Sequence, residues 1–342
     1  MNFASDNAHG VAPEMLAALA AANHDASPPY GEDPFTARLE ATLADVFEHK
    51  VAAFPVITGT AANALALSTL VPPHGTIFCC RDAHIATDEC GAPQLFTHGA
   101  RLATLESTHG KVTPKALEEA LCEIAVGSVH HSQPAAISIA EACELGSCYR
   151  PEEIRAIAGV AQRHRLKLHM DGARLANALA FLDCKPAELT WKAGVDVLSL
   201  GMTKNGALGA EVVVFFRAGD VGDFEFRRKR FGHLVSKMRF VSAQLVCALE
   251  HGRWLGWAAA ANALAIVLAN GLGEISGVEI VHPVEANLVF ASMPEALVQK
   301  LRAAGASFYD WGPLQGERRL IRFVTSFMTP EGDIGRLLAA CV

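Results

Sequence analysis

The sequence predicts an α/β protein: a mainly parallel sheet covered by helices, followed by a smaller α+β unit. Three observations lead there. Short apolar runs alternate with helical stretches between about residues 52 and 216, the alternation that places helices on the faces of a parallel sheet. Polar residues capable of chemistry stand directly after several of those runs. Beyond about residue 245 the order changes to a long Ala-rich helix followed by strands and a helix. With 342 residues, 51% of them apolar, the chain can bury a large core and divide in two. The expected division is 1–245 for a large domain with an N-terminal arm, and 246–342 for a small one.

Taken in order, Ala52 to Ile57 is an apolar run ending near Gly59, and a helical stretch from Ala61 to Leu70 stops before Pro72-Pro73. That reads as strand, tight turn and helix. Further strands are expected over Thr76–Cys80, Ala135–Ala140, Leu166–Met170, Val195–Leu200 and Glu211–Phe216, with a helix from Pro151 to His164. In the second unit a strand is expected near Asn287–Ser292, a helix over Pro294–Ala304, and strands near Phe308 and over Leu320–Thr325. Trp254 to Leu272 carries no charge over a length that could span a bilayer. Its alanines, Asn262, Asn270 and the absence of flanking basic clusters predict a buried helix, and no membrane partner.

Acidic residues outnumber basic ones by 36 to 29, and apart from Arg227-Arg228-Lys229-Arg230 no basic run could track a phosphate backbone, so nucleic acid is not expected as a partner. The polar, acidic start Met1-Asn2-Phe3-Ala4-Ser5-Asp6 lacks a secretory pattern, which predicts a cytoplasmic location. Nine scattered cysteines without a C-x-x-C pair suggest neither a disulfide framework nor a zinc site, and no metal is expected.

In an open α/β sheet, ligands collect at the carboxyl ends of the strands. Gly59-Thr60-Ala61-Ala62-Asn63 lies where a strand becomes a helix, and its small residues let N–H groups and the helix dipole approach a phosphate. His84 and Glu89 follow the Thr76–Cys80 run, and an imidazole there can stack on an aromatic cofactor ring. Asp171 ends the Leu166–Met170 run, where a buried carboxylate needs a cation. Nearby Arg174 is one partner to consider; a protonated heterocycle is the other. Lys204 follows the Val195–Leu200 strand in a short loop, Met202-Thr203-Lys204-Asn205-Gly206. Together these residues spell out a site for pyridoxal 5′-phosphate (PLP), held by Lys204 as a Schiff base. Partial desolvation near positive groups lowers the lysine pKa enough for the neutral amine to attack an aldehyde.

The same residues resemble the L-threonine aldolases, PLP enzymes of the aspartate-aminotransferase-like fold. The resemblance runs through Ser5-Asp6-Asn7, Tyr30-Gly31-Glu32-Asp33-Pro34, Gly59-Thr60-Ala61-Ala62-Asn63, Ala83-His84 with Glu89, His169-Met170-Asp171-Gly172-Ala173-Arg174, the lysine loop, and Ile321-Arg322-Phe323-Val324-Thr325. It implies fold type I, with a mainly parallel seven-stranded mixed sheet in the large domain. It also implies that Lys204 anchors the cofactor, Asp171 pairs with its ring nitrogen, and His84 stacks on the ring. Arg174 would lie near the phenolic oxygen, and Gly59, Thr60 and Ala61 near the phosphate, with Glu89 a further cofactor-binding residue. Ser5, Tyr30, Arg174 and Arg322 would bind the amino acid substrate. Arg239 matches an arginine supplied across a subunit interface, which implies a homodimer or homotetramer with shared active sites.

Two departures stand out. Family members commonly have S-K-G-L-G around the lysine, where this chain has Thr203-Lys204-Asn205-Gly206, resembling a subgroup acting on phenylserine-type or broadly chosen β-hydroxy amino acids. Glu144 stands where a second histidine is common. The implied reaction is retro-aldol cleavage of threonine, allo-threonine or phenylserine to glycine and an aldehyde, with His84, an ordered water or Glu144 as the base. Another fold-type-I reaction, transamination or β-elimination, is the neighbouring alternative, since Lys204 and Asp171 would serve it equally. A nucleotide-binding oxidoreductase would need a G-x-G-x-x-G that is absent here, and a non-catalytic binding protein would not depend on Lys204.

Overall fold

Seven strands form the large sheet of the computed structural model, which describes all 342 residues. They are β1 (Ala52–Val56), β2 (Gly75–Cys80), β3 (Arg101–Leu105), β4 (Gln133–Ala140), β5 (Lys167–Gly172), β6 (Val197–Gly201) and β7 (Glu211–Phe215). Their spatial order is β1-β7-β6-β5-β4-β2-β3. Strands β2 to β6 pair in parallel, and β7 is antiparallel to both β6 and β1. The carboxyl ends of six strands therefore share one edge with the start of β7. This is the mixed, mostly parallel seven-stranded sheet that the resemblance implied.

The sequence carries this sheet because β2, β6 and β7 are buried along their whole length, as a strand covered on both faces must be. One polar line crosses it: His169 is buried between Ser138 and Ser199, each 2.9 Å away on the neighbouring strands, and burial holds its imidazole neutral, with a pKa down at about 4. Strand β3, not foreseen from the sequence, is an edge strand with an exposed Arg101 and Thr104, so it lacks an apolar signature.

A second sheet, order β10-β11-β9-β8, comprises β8 (Glu279–Ile280), β9 (Leu288–Pro294), β10 (Tyr309–Asp310) and β11 (Arg318–Val324). The N-terminal arm joins it. Phe3 donates its N–H to the Ser307 carbonyl and accepts from Val324 N–H, and its ring is buried in the small-sheet core with Phe323. The first residues thus pack with the end of the chain, although they were grouped with the large domain on sequence grounds.

The stretch predicted as a buried helix is the Arg253–Gly273 helix. Trp254, Ala258, Ala261, Asn262, Ala265, Leu268, Ala269 and Leu272 are buried at helical spacing. Its first turns pack in the large core and the rest in the small one, so the hand-over runs along this helix. The expected boundary at 245/246 falls one helix earlier, inside Arg239–Leu249, whose Leu245 and Leu249 belong to the large core. Asn262 exchanges hydrogen bonds with Asn177 of the large domain, at 2.8 and 2.9 Å, which explains a polar residue in an apolar helix.

Candidate active site

A cleft opens at the carboxyl edge of the large sheet, where the small domain faces it, in two connected lobes. The lobe against the small domain, about 420 Å³, is lined by Ser5, His84, Glu144, Asp171, Arg174, Lys204, Tyr309, Trp311 and Arg322 among others. The other, about 390 Å³, is lined by Thr58, Gly59, Thr60, Asn63, Glu211 and again His84, Asp171 and Lys204. Residues spread over more than 300 positions meet here because the parallel strands deliver their ends to one edge.

Asp171, the penultimate residue of β5, is 8% exposed. One carboxylate oxygen accepts from the Ala173 N–H (3.0 Å) and the other from the Asn63 side-chain amide (2.7 Å). It makes no ion pair with any cationic side chain. Arg174, the protein partner weighed from the sequence, turns to Asp6 instead and holds it through two bonds of 2.8 and 3.1 Å. That leaves a buried carboxylate held by two neutral donors and without an ion pair. A protonated ring nitrogen answers it.

Asn63 extends the network. Its amide also donates to Glu89 at 2.8 Å, and Glu89 in turn accepts from His84 Nδ1 at 2.9 Å. Asn63 lies one helical turn after Gly59, so the helix that opens at the strand end carries its side chain between the two carboxylates. The hydrogen bond to Glu89 draws the His84 imidazole towards its protonated form, against burial, which pushes it the other way. The His84 backbone N–H donates to Glu144 at 2.9 Å, tying the two residues at the substrate end of the cleft. Burial beside Asp171 pushes the Glu144 carboxyl up to about 7.

Lys204 has no hydrogen-bond or ion-pair partner, and burial together with the Arg174 guanidinium lowers its pKa, against the pull of Asp6, Asp171 and Glu211. Its loop is anchored on both sides. Thr203 donates to the buried Glu211, whose carboxyl burial raises to about 7, and Asn205 donates to the Trp254 carbonyl at 2.8 Å. The two departures beside the lysine therefore secure the loop. Gly206 turns it at φ +95°, where a side chain would also meet Phe327 at 3.0 Å, and Gly201 leaves room for Glu211, whose oxygen would lie 2.6 Å from an added Cβ.

The Gly59–Leu70 helix is capped by Thr58, which accepts from the Ala61 N–H at 3.2 Å. The N–H groups of Gly59 and Thr60 in the first turn have no intrahelical acceptor, the arrangement that receives a phosphate. Ala61 departs from the expectation: its N–H is committed to the cap, and its side chain is buried below the cleft. Opposite, Arg322 on β11 makes no ion pair, and its Nε is buried without an acceptor. Ser5 caps the Asp6–Ala8 turn through the Asn7 N–H and lines the same lobe. A cationless Asp171, an unpaired Lys204 and an open helix start match the ring nitrogen, aldehyde and phosphate of PLP.

Two expected residues lie outside this cleft. Tyr30 is 47% exposed with Lys229 over its ring, and Arg239 donates to the carbonyls of His24 and Asp25 at 3.1 and 3.0 Å. Sequence reasoning passed over Asn63, Asp6, Glu211 and Thr58. Asn63 and Asp6 stood inside quoted motifs, but their partners lie far along the chain. Glu211 carried one local signal, an acid opening an otherwise apolar strand.

A profile of the β-eliminating lyases matches residues 2–296. The chain is 44% identical over 98% of its length, and 96% of the relative's, to a low specificity L-threonine aldolase of Pseudomonas sp. (strain NCIMB 10558). A second relative of that name, from Pseudomonas aeruginosa, is 43% identical over 90% of this chain and 89% of its own. Among solved structures, a threonine aldolase of Leishmania major superposes with a TM-score of 0.94 at 25% identity, covering 99% of this chain and 98% of that one. A serine palmitoyltransferase of Sphingomonas wittichii, at TM-score 0.73 and 16% identity, shares the fold. Profile, relatives and a cleft built around an unpaired lysine and a cationless aspartate agree that the chain belongs to the β-eliminating lyase family of PLP enzymes and, within it, to the low-specificity L-threonine aldolases.

Proposed function

We propose that this enzyme cleaves L-threonine, L-allo-threonine and related β-hydroxy-α-amino acids, phenylserine included, between Cα and Cβ to give glycine and an aldehyde. The observation that carries the reading is the layout of unmatched charge in one cleft, in a chain whose relatives bear the aldolase name. Asp171 lacks a cation, Lys204 and Arg322 lack anions, and an amino acid bound with PLP supplies all three.

PLP, when bound, supplies the electron sink for the pair released as the bond breaks. Lys204, whose burial and nearby Arg174 favour the neutral amine, would hold the cofactor aldehyde and give it up to a substrate amine. Asp171 keeps the ring nitrogen protonated, and Gly59 and Thr60 N–H groups take the phosphate. The His84 ring would stack on the cofactor, with Glu89 and Asn63 holding it and Asp171 in one frame, and Arg174, fixed by Asp6, would serve the phenolic oxygen. Arg322, with Ser5, takes the substrate carboxylate and so sets which bond to Cα stands across the ring. His84, a water it holds, or Glu144 takes the β-hydroxyl proton, and Glu144, its carboxyl pushed up to about 7, becomes available as a base as pH rises through neutrality.

Arg239 and Tyr30, remote from this chain's cleft, serve the cleft of a second copy in a homodimer or dimer of dimers. The setting is the cytoplasm, which suits nine free thiols. β-Elimination is the second reading, because the family profile bears that name. Incubating holoenzyme with threonine, allo-threonine and phenylserine, and measuring glycine and aldehyde, tests the proposal. Neither product with the cofactor absorption intact overturns it, and a keto acid with ammonia instead points to elimination.

A further inference from the structure

Arg322 is unusual in being surrounded by groups that leave it free. The guanidinium carbon lies 5.3 Å from the centroid of the Tyr309 ring and 4.8 Å from that of Trp311. Tyr309 is the register partner of Arg322 across the β10/β11 pair, and Trp311 is fixed by its N–H bond to the Leu320 carbonyl (2.8 Å) and by edge contact with Phe290. The two rings are two residues apart, so strand alternation brings both to one face. Asp6 and Asp88 act on Arg322 through their charge without pairing with it; Asp310, between the two rings in sequence, also lines the cleft. Its carboxylate is held by Arg302 at 2.5 Å and by Arg319 at 3.0 Å. Arg319 is itself anchored to Glu295 at 2.5 Å. Arg174, the other arginine of the cleft, shows what happens without such an arrangement: a carboxylate of the chain has taken it.

We propose that Tyr309 and Trp311 are positioning residues that clamp Arg322 between aromatic faces as an uncommitted carboxylate receptor, with Arg302 and Arg319 keeping Asp310 from capturing it. A guanidinium beside aromatic rings keeps its charge and its in-plane donors while losing conformational freedom. Rings so placed cannot neutralise it, as an acid would. This inference rests on Arg322 as the carboxylate anchor, so the test must separate the two.

Holoenzymes of Trp311→Ala, Trp311→Leu, Trp311→Phe, Tyr309→Ala and Arg322→Ala are compared with the parent. Kinetics on phenylserine are measured, and binding of glycine and of methylamine, which lacks the carboxylate, is followed by cofactor absorption. Loss of the Trp311 π face, in Ala or Leu, is expected to raise KM and the glycine dissociation constant about two- to thirtyfold. Under the proposal kcat stays within about twofold, Phe restores most of the affinity, and methylamine binding is unchanged. The Leu variant keeps the apolar bulk should Ala fail to fold. Equal weakening of methylamine and glycine overturns the clamp as mere structural damage. Normal glycine binding in Trp311→Leu, with glycine lost in Arg322→Ala, overturns the clamp and leaves the anchor. Normal glycine binding in Arg322→Ala removes the anchor itself.

Discussion

The two walls of the cleft are built on opposite electrostatic plans. On the large-domain wall, carboxylates collect: Asp171 and Glu89 share the Asn63 amide, and Asp171 has no cation. On the small-domain wall the Arg322 guanidinium lies over two aromatic rings without an ion pair, and Asp310 of the same wall is held by Arg302. One wall leaves a carboxylate, Asp171, without an ion pair, and the other a guanidinium, Arg322. A zwitterionic amino acid carried on a protonated ring completes both at once, so the cleft recognises cofactor and substrate by what each wall leaves unpaired.

Removing the amine between the walls has the largest effect: Lys204→Ala is expected to lower aldol cleavage by more than about 10⁴-fold, as for one member of a cooperating catalytic set, measured as aldehyde release. On the large-domain wall, Asp171→Asn leaves the ring nitrogen unmatched and is expected to cost about two to three orders of magnitude in turnover, with weaker retention of PLP on dialysis. On the small-domain wall, Arg322→Ala is expected to raise KM for threonine about ten- to a hundredfold, with a smaller change in kcat. If Asp171→Asn acted on KM alone and Arg322→Ala on PLP retention, the division of labour would be wrong.

Smaller effects concern protons. Activity is expected to rise several-fold from pH 6 to pH 8, because His84 and Glu144 must lose protons to act as bases, and Glu144 titrates at about 7. A rate that falls across this range excludes both. Glu211 makes a prediction about stability. Its carboxyl is raised from an ordinary value near 4.5 to about 7 by burial, so the protein takes up a proton on folding between those values. That contribution is complete below about pH 4.5 and is lost as pH rises through 7. Denaturant unfolding of the apoprotein at pH 5 and pH 8 is expected to show a smaller loss of stability for Glu211→Gln than for the parent.

The elements that the sequence announced are those whose signal is local. Strands β2, β6 and β7 are apolar runs because they are buried along their whole length, β1, β4 and β5 are buried over the half that leads to the cleft, and polar residues follow several of these runs where they end at it. Short or edge strands went unseen: β3 is half exposed, and β8 is two residues long. Phe3 could not be assigned to the small core, because that depends on pairing with Ser307 and Val324 at the far end of the chain.

The same division runs through the site. Lys204, Asp171, His84, Glu89 and the Gly59 turn were legible in the sequence alone, because a strand end fixes where the next residue goes whatever the rest of the chain does. Which charges are matched was not. Arg174 stands three residues from Asp171 yet pairs with Asp6, 168 positions away, and Asn63 joins two carboxylates 26 and 108 positions away. Ion pairing in a buried cleft is decided by distances of a few ångströms among side chains from separate elements, and only the packed tertiary structure sets those distances. Chemical identity was thus written along the chain, while the pairing of charges in the cleft belongs to the fold.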